Sequence, residues 1–578
     1  MSDTPPRWRA TAAALLAASL FALLHTAAFP FAFADGRPLC VSESAYLFLV
    51  PIALWLMEKR SLRATLAVSL LAGWLSWTAL LFWIRHVTLS GTIVLGLFMA
   101  LFPMLWTLGA RLALPGISRR PAPARIGIIA ALAALWVLLE WLRGHLLTGF
   151  PWLPLAASQW ERPALLQILT LTGWSGLSWL LAYFNLAIAS YATTIIRPRR
   201  DLVWWRRLNP ELYSALFLLA GSVAGTLSSV HGHANPETLC RASLVQPYVE
   251  GTLKWDPALD KDNMDRLDRL SYFASLQEAE IIFWPESATP WPILAPDPTT
   301  RLWAESVSAN AKAPIVLGSY ARLMGSDREE QFLNGIFAVD PEQGLGNDWY
   351  AKEKLVPFGE YDPFGPVSRL FFEWPTAYFT SGRALGKSEL NLKVPLGSGT
   401  ELRIGPLLCY EDIFPALARA RTLEGADFLF VATNNAWYGE EAGAYQHALH
   451  SILRAVENRR PVLRCGNGGW SGLIDEYGAI RHIATRPGEG VYFEGEDVIS
   501  LQRDEQWSTR FTFYTRNGDW FVALCALFVG AAGLYVRRIP APEPTSESSP
   551  DGISEDRRKA RELLRRGKFR LSRRVGRL

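Results

Sequence analysis

Three short runs in this chain place reactive side chains directly after apolar stretches. In Ile404-Gly405-Pro406-Leu407-Leu408-Cys409-Tyr410-Glu411-Asp412, a cysteine ends an apolar segment and polar residues follow at once. In Ile281-Ile282-Phe283-Trp284-Pro285-Glu286-Ser287, a proline ends the apolar run and leaves a carboxylate at its rim. In Tyr350-Ala351-Lys352-Glu353-Lys354-Leu355-Val356-Pro357-Phe358-Gly359-Glu360-Tyr361, two lysines and two glutamates sit among apolar and aromatic neighbours. Together they could support acyl transfer through a thiol. A carboxylate takes the thiol proton, the sulfur attacks a carbonyl, and an ammonium stabilises the oxyanion that forms. Each run also has an ordinary reading alone: a small buried hydrophobe for Cys409, a solvated turn for Glu286, and a plain loop for the lysines. His447 and His450 fall on a helical pattern and read as structural.

The elements that must hold these residues lie between about 240 and 505, where short β-rich runs alternate with turns and helical stretches. Strands are expected at Ala242 to Gln246, Ile281 to Pro285, Pro314 to Ser319, Gly335 to Asp340, Leu402 to Cys409, Phe428 to Thr433, Pro461 to Cys465 and Gly472 to Asp475. Helices are expected near 261–280, 299–311 and 443–459. That alternation predicts one α/β domain with a sheet buried on at least one face.

The rest of the chain reads as membrane protein. Half of the 578 residues are hydrophobic and 24 are tryptophan. The net charge of +4 is spread over short loops and one tail, which excludes a nucleic-acid footprint. The five cysteines are widely spaced and form no metal-ligand pattern, so neither a metal site nor a disulfide framework is expected. Apolar stretches near 11–31, 42–57, 64–84, 90–114, 126–143, 164–195 and 211–230 predict seven spans in a membrane domain over 1–235, and 519–537 predicts an eighth. Arg7 and Arg9 precede a first span that is expected to be retained, because the charge pattern requires it. Basic loops follow spans two, four and six, at Lys59, Arg60 and Arg63, at Arg111 to Arg125, and at Arg197 to Arg207. By the positive-inside rule those loops are cytoplasmic. The domain at 240–505 is then extracytoplasmic, and Arg537 and Arg538 return to the cytoplasm with a basic, disordered tail at 538–578.

The motifs WPES, YxKxxLVPFGEY and LLCYE, in that order across one α/β domain, resemble the Glu-Lys-Cys motifs of the nitrilase (carbon-nitrogen hydrolase) superfamily. With the flanking spans, GFPW at 149–152, LKWDP at 253–257 and YTRNGDW at 514–520, nearly the whole chain resembles the apolipoprotein N-acyltransferase family. The resemblance implies eight transmembrane helices and an αββα sandwich. It implies Glu286 as general base, Lys352 as oxyanion stabiliser and Cys409 as nucleophile. Glu360, Tyr410, Glu411 and Trp255 match supporting residues, and the Tyr410 N–H is a plausible second oxyanion donor. Departures occur at Asn435, where the family usually has Asp, at Lys354, in place of a frequent His, and at Asn467 to Gly472.

The resemblance further implies a two-step exchange in a bacterial cytoplasmic membrane, with no cofactor. A phospholipid donates an acyl group to the cysteine, and the α-amine of a lipoprotein's S-diacylglyceryl cysteine accepts it, the last step of lipoprotein maturation. A membrane-tethered amide hydrolase uses the same triad, but one span would suffice for tethering. A non-catalytic transport or assembly protein fits poorly with three intact site residues and few intramembrane charges, Glu140 and Arg143 among them. The aromatic stretch 361–379, with Phe364, Phe371, Phe372, Trp374 and Tyr378, reads equally as a lid entering the lipid interface or as core.

Overall fold

The computed structural model describes residues 7–34, 37–196, 209–224, 235–251, 253–254, 256–324, 330–363, 379 and 391–539. Trp255, the aromatic residues at 364–378 and the basic tail beyond 539 lie outside the described residues.

The half of the chain that holds Glu286, Lys352 and Cys409 is a pair of six-stranded sheets packed face to face. One contains β3 (Pro236–Gln246), β4 (Ile281–Phe283), β5 (Ile315–Met324), β6 (Glu330–Asp340), β7 (Gly344–Ala351) and β14 (Gly495–Asp504), in the order β14-β3-β4-β5-β6-β7. The other contains β8 (Leu392–Pro395), β9 (Glu401–Leu408), β10 (Phe428–Asn434), β11 (Val462–Asn467), β12 (Gly472–Ile474) and β13 (Ile480–Ile483), in the order β13-β12-β11-β10-β9-β8. In each sheet three central strands are parallel, β3-β4-β5 and β9-β10-β11, and the flanking strands are antiparallel. Phe283 of one sheet meets Phe430 of the other at 4.6 Å between ring centroids, at the heart of the apolar layer between them. The near-continuous apolar runs of β4 and β10 follow from this, since both faces of each strand are covered.

Helices close the sandwich. The outer face of the first sheet carries α10 (Asp260–Leu276) and α11 (Thr299–Ala311), through Leu267, Leu270 and Val307. The second carries α12 (Pro415–Leu423) and α13 (Ala442–Asn458). Every residue of α13 is buried, which a helix in a free-standing α/β domain cannot achieve, because its outer face would meet water. Here the outer face is covered by the membrane domain, and one apolar core runs unbroken from Leu429 and Leu453 into Trp83, Trp152 and Leu177.

That domain contains α1 (Arg7–Ala27), α2 (Val50–Leu56), α3 (Leu62–Leu80), α4 (Leu89–Ala113), α5 (Ala122–Arg143), α6 (Pro163–Leu166), α7 (Leu169–Thr172), α8 (Trp174–Ile196) and α9 (Pro210–Ala224), with a two-stranded ribbon, β1 (Ala32–Ala34) and β2 (Arg37–Leu39). The chain closes with α14 (Phe513–Asn517) and α15 (Trp520–Arg538). Among the described residues, four helices are long and apolar enough to cross a membrane: Trp8–Ala27, Leu89–Arg119, Ala122–Arg143 and Trp520–Arg538. Two expectations need correction. The stretch 164–195 is not one straight span but bends by 118° between α7 and α8. Gly173 sits at the break with φ +64, and a Cβ there would meet the Tyr514 ring at 2.5 Å. Hydropathy sees apolar residues on both sides and is blind to the turn. The second stretch, 42–57, is a 3-10 turn followed by the short α2.

Gln446 of α13 pins the two halves together. Its Oε1 accepts from the indole nitrogens of Trp83 and Trp152, both at 3.0 Å. Its Nε2 donates to the carbonyls of Pro30 and Leu80 at 2.6 and 2.9 Å. Gln446→Leu leaves four buried groups without partners, at about 1 kcal/mol or more each. We expect a melting temperature in detergent several degrees below wild type; an unchanged value would show the seam does not depend on this residue.

Candidate active site

The three reactive residues converge at the carboxyl ends of strands, where parallel sheets place ligand sites. Cys409 follows β9 directly, Glu286 stands three residues beyond β4, and Lys352 is the first residue after β7. Sequence reading left the lysine run as a possible loop because β7, GLGNDWYA, is a half-exposed edge strand with little apolar alternation.

The Lys352 ammonium is buried between two carboxylates, donating to Glu286 Oε1 at 3.0 Å and Glu360 Oε1 at 2.8 Å. Asn334 bridges the same two oxygens from β6 through Nδ2, at 3.0 and 3.1 Å. Its main-chain carbonyl accepts the Lys352 N–H at 2.8 Å, so side chain and backbone fix one geometry. Sequence reasoning missed Asn334; its signal is a lone amide inside the apolar run FLNGIF. The other Glu360 oxygen accepts the Val356 N–H at 2.8 Å and closes the lysine loop on itself.

Burial alone would raise the Glu286 carboxyl, but the charge and hydrogen bond of Lys352 outweigh it and hold the group below the ordinary range. Burial would likewise lower Lys352, and the two glutamates hold it well above the usual lysine value. Burial pushes the Cys409 thiol up to about 12, the Glu286 charge adds to the rise, and Lys352 opposes it. The resting pair is therefore thiol and carboxylate. Proton transfer must accompany attack on a carbonyl rather than precede it.

Backbone strain marks Cys409 itself and the residue that follows Glu286. Cys409 has φ +50 and Ser287 φ +51, a region that costs a non-glycine residue of order 1 kcal/mol. Gly318 of β5 lets the Glu286 turn settle closely, since a Cβ there would stand 2.6 Å from the Glu286 Cα. Beyond Cys409 the chain makes a 3-10 turn through Ile413, and its first N–H groups have no partner within the helix itself, which leaves the Tyr410 N–H suited to an oxyanion.

Glu411 ties the Cys409 turn to the lysine loop. Oε1 accepts from Tyr350 Oη at 2.7 Å, Glu353 N at 2.7 Å and Lys354 N at 3.0 Å, and Oε2 accepts from Leu408 N at 2.8 Å. Glu411→Ala removes the acceptor for all four at once, at about 1–3 kcal/mol each if unsatisfied. We expect lower stability together with loss of acyl transfer, because Lys352 loses its register; full activity in the variant would show that the loop holds its place without Glu411.

Tyr410 faces the membrane domain. Its hydroxyl donates to the Gly149 carbonyl at 2.8 Å, and its ring lies near Phe150 and Phe414. The GFPW segment thus packs directly behind the Cys409 turn. Below, His447 Nε2 is 2.9 Å from Asp412 Oδ1 and 3.1 Å from the Cys409 carbonyl, so this histidine supports the turn and not the thiol. Tyr438 is half-buried near the thiol and packs on Trp83 at 4.3 Å. Of the departures, Lys354 lies over the Phe414 ring at 5.1 Å, and Asn467 holds both main-chain polar groups of Val249 at 2.8 Å.

Comparison with known proteins agrees with this layout. Residues 21–187 match the apolipoprotein N-acyltransferase N-terminal domain, and residues 241–494 match the carbon-nitrogen hydrolase domain. An apolipoprotein N-acyltransferase of Azotobacter vinelandii is 32% identical over 482 residues, covering 80% of this chain and 82% of that protein. The chain belongs to the apolipoprotein N-acyltransferase family. Its member from Geobacter metallireducens is 29% identical over 507 residues, covering 85% of this chain and 90% of that one. Among solved structures, an amidase from Nesterenkonia sp. is similar at a TM-score of 0.33 and 20% identity, covering 48% of this chain and 96% of that one. As a family member the chain is an acyltransferase whose catalytic unit is a carbon-nitrogen hydrolase domain.

Proposed function

We propose that this protein transfers an acyl chain from a phospholipid to the α-amine of an S-diacylglyceryl cysteine at the N-terminus of an apolipoprotein, through a thioester on Cys409. The observation that carries this reading is the Tyr410–Gly149 hydrogen bond at 2.8 Å, with Trp83 against Tyr438. It seats the thiol on the membrane domain, where both substrates reside. A lipid meets such a site by lateral diffusion, and its chain avoids water, where each CH₂ costs about 0.8 kcal/mol to expose.

In the first half-reaction Cys409 Sγ attacks the ester carbonyl carbon while its proton passes to Glu286. Lys352 and the Tyr410 N–H hold the oxyanion. The C–O bond then breaks, and Glu286 returns the proton to the departing lysophospholipid oxygen. In the second, the amine attacks the thioester, Glu286 takes its proton, the C–S bond breaks and Cys409 is restored as the thiol. Glu360 holds Lys352 in place.

The same reading places the domain at 240–505 on the periplasmic side of the inner membrane, with eight crossings and both termini in the cytoplasm. Loop charges support it, as do Arg537 and Arg538 in the last turn of α15. The 19-residue α3, the shorter apolar segment Ser42–Leu56 that ends in α2, the shorter α9 and the bent α7–α8 pair would then complete the eight.

The test supplies purified protein in detergent with a phospholipid labelled in its acyl chain, then adds a diacylglyceryl-cysteine peptide. The expected result is an amide-linked label on the peptide, resistant to hydroxylamine. Label released only as free fatty acid would make water the acceptor and the protein a hydrolase.

A further inference from the structure

The mechanism above leaves one buried polar chain beneath the nucleophile unused. Thr433, at the end of β10, has its hydroxyl 3.3 Å from Cys409 Sγ and 2.9 Å from the Asn435 side-chain amide. The same amide lies 3.2 Å from His447 Nδ1, and His447 Nε2 faces Asp412 at 2.9 Å. The N–H of Asn434 also bonds to the sulfur. Thr433, Asn435, Asp412 and His447 are all fully buried or nearly so.

A hydroxyl has one proton, and this one has two neighbours. What stands at position 435 decides where the proton goes. A carboxylate would accept it, having nothing to donate. An amide can instead donate. With its oxygen toward Thr433 and His447, the Asn435 nitrogen is buried without a partner. With its nitrogen toward them, one amide proton meets Thr433 Oγ1 and the other meets His447 Nδ1. His447 suits that arrangement, because the groups at its Nε2, Asp412 Oδ1 and the Cys409 carbonyl, are both acceptors and fix the ring proton there.

We infer that the Thr433 hydroxyl is a catalytic hydrogen-bond donor to the reacting sulfur, beside the Asn434 N–H, and that Asn435 is the positioning residue that frees its proton for that use. The donors run outward from the Asn435 amide: one proton goes to His447 Nδ1, whose Nε2–H is anchored on Asp412, and the other to the Thr433 oxygen, whose own proton goes on to Sγ. A hydrogen bond to a thiolate is stronger than one to a thiol or a thioester sulfur, so it favours the sulfur as it attacks and again as it leaves. Glu286 faces the same sulfur and opposes its charge, and Lys352 favours it. The asparagine that departs from the family's usual aspartate thereby acquires a role at the thiol.

The inference rests on Cys409 being the nucleophile proposed above, and its test avoids the lipid. The full-length protein in detergent is treated with iodoacetamide between about pH 6 and 10, and alkylation of the Cys409 peptide is followed by mass spectrometry. Thr433→Val keeps the shape and removes the donor; its alkylation at a given pH should slow by about 10-fold, the worth of one hydrogen bond to a charged group. Thr433→Ser should restore the rate to within about 2-fold. Asn435→Asp should slow the reaction, and adding Thr433→Val to it should slow it no further, since both remove the same donor. A valine variant that reacts like wild type across the range, or a serine variant as slow as valine, overturns the role of Thr433. Slowing that is additive in the double variant overturns the role of Asn435. If the valine variant does not fold, the serine and aspartate variants carry the test. Normal alkylation profiles without acyl transfer from lipid would remove the proposed function and leave this inference standing.

Discussion

Lys352→Met is expected to abolish thioester formation and to destabilise the catalytic domain together. Losing an oxyanion donor typically costs 10²–10³ in rate, about 3–4 kcal/mol. Here the ammonium is also the counter-charge for the buried Glu286 and the half-buried Glu360, and breaking a buried pair costs about 3–5 kcal/mol. Asn334 alone cannot neutralise Glu286 and Glu360, so one of them must take up a proton. The pH dependence of stability then inverts. In wild type, Glu286 is held low; its contribution is present above the unfolded carboxyl value of about 4.3 and is lost as pH falls through the folded value. Lys352 is held high; its contribution is present below the unfolded value of about 10.4 and is lost as pH rises through the folded one. In the variant, burial and the neighbouring carboxylate raise a glutamate, so the folded state binds the extra proton and gains stability as pH falls. Melting in detergent near pH 5 and pH 8 decides it. The gap between wild type and variant should narrow at the lower pH; a gap that widens would show that the glutamates do not share the lysine.

Glu286→Gln is expected to move two rates in opposite directions. Removing a positioned general base typically costs 10²–10⁴ in rate, so acyl transfer should fall by about that factor. The same carboxylate is one of the charges that raise the Cys409 thiol, while Lys352 lowers it. With the charge gone, the thiolate forms more readily, and alkylation of Cys409 by iodoacetamide at pH 8 should become faster. Parallel measurement of both rates checks the pairing. A variant slow in both would place Glu286 outside the thiol's electrostatic reach; one unchanged in acyl transfer would remove it as the base.

Glu286 and Cys409 were legible in the sequence because each follows a strand buried on both faces, and such strands are unbroken apolar runs. The eight expected strands are all present, and α11 has the expected bounds. The misses have a common cause. β7, β8 and β13 are edge strands and β14 is half-exposed, so all four lack the fully apolar signal, and Lys352 therefore read as loop. Asn334 was hidden as a polar residue within a strand. Contacts of long range were hidden altogether, since no local pattern relates Tyr410 to Gly149, 261 positions apart, or Gln446 to Trp83. The bend at Gly173 was lost because hydropathy averages over it. Position 435 was visible as a departure from the family pattern, but its bearing on Thr433 needed the distances.

The central claim is that Cys409 carries the acyl chain. Wild-type protein and Cys409→Ala are incubated with a phospholipid of defined acyl composition, digested, and the peptide spanning residue 409 is weighed before and after neutral hydroxylamine. The account predicts a wild-type peptide heavier by one acyl group, lost on treatment, and no adduct in the variant. An acyl group found on another residue, or transfer to the acceptor amine that survives in Cys409→Ala, would contradict it.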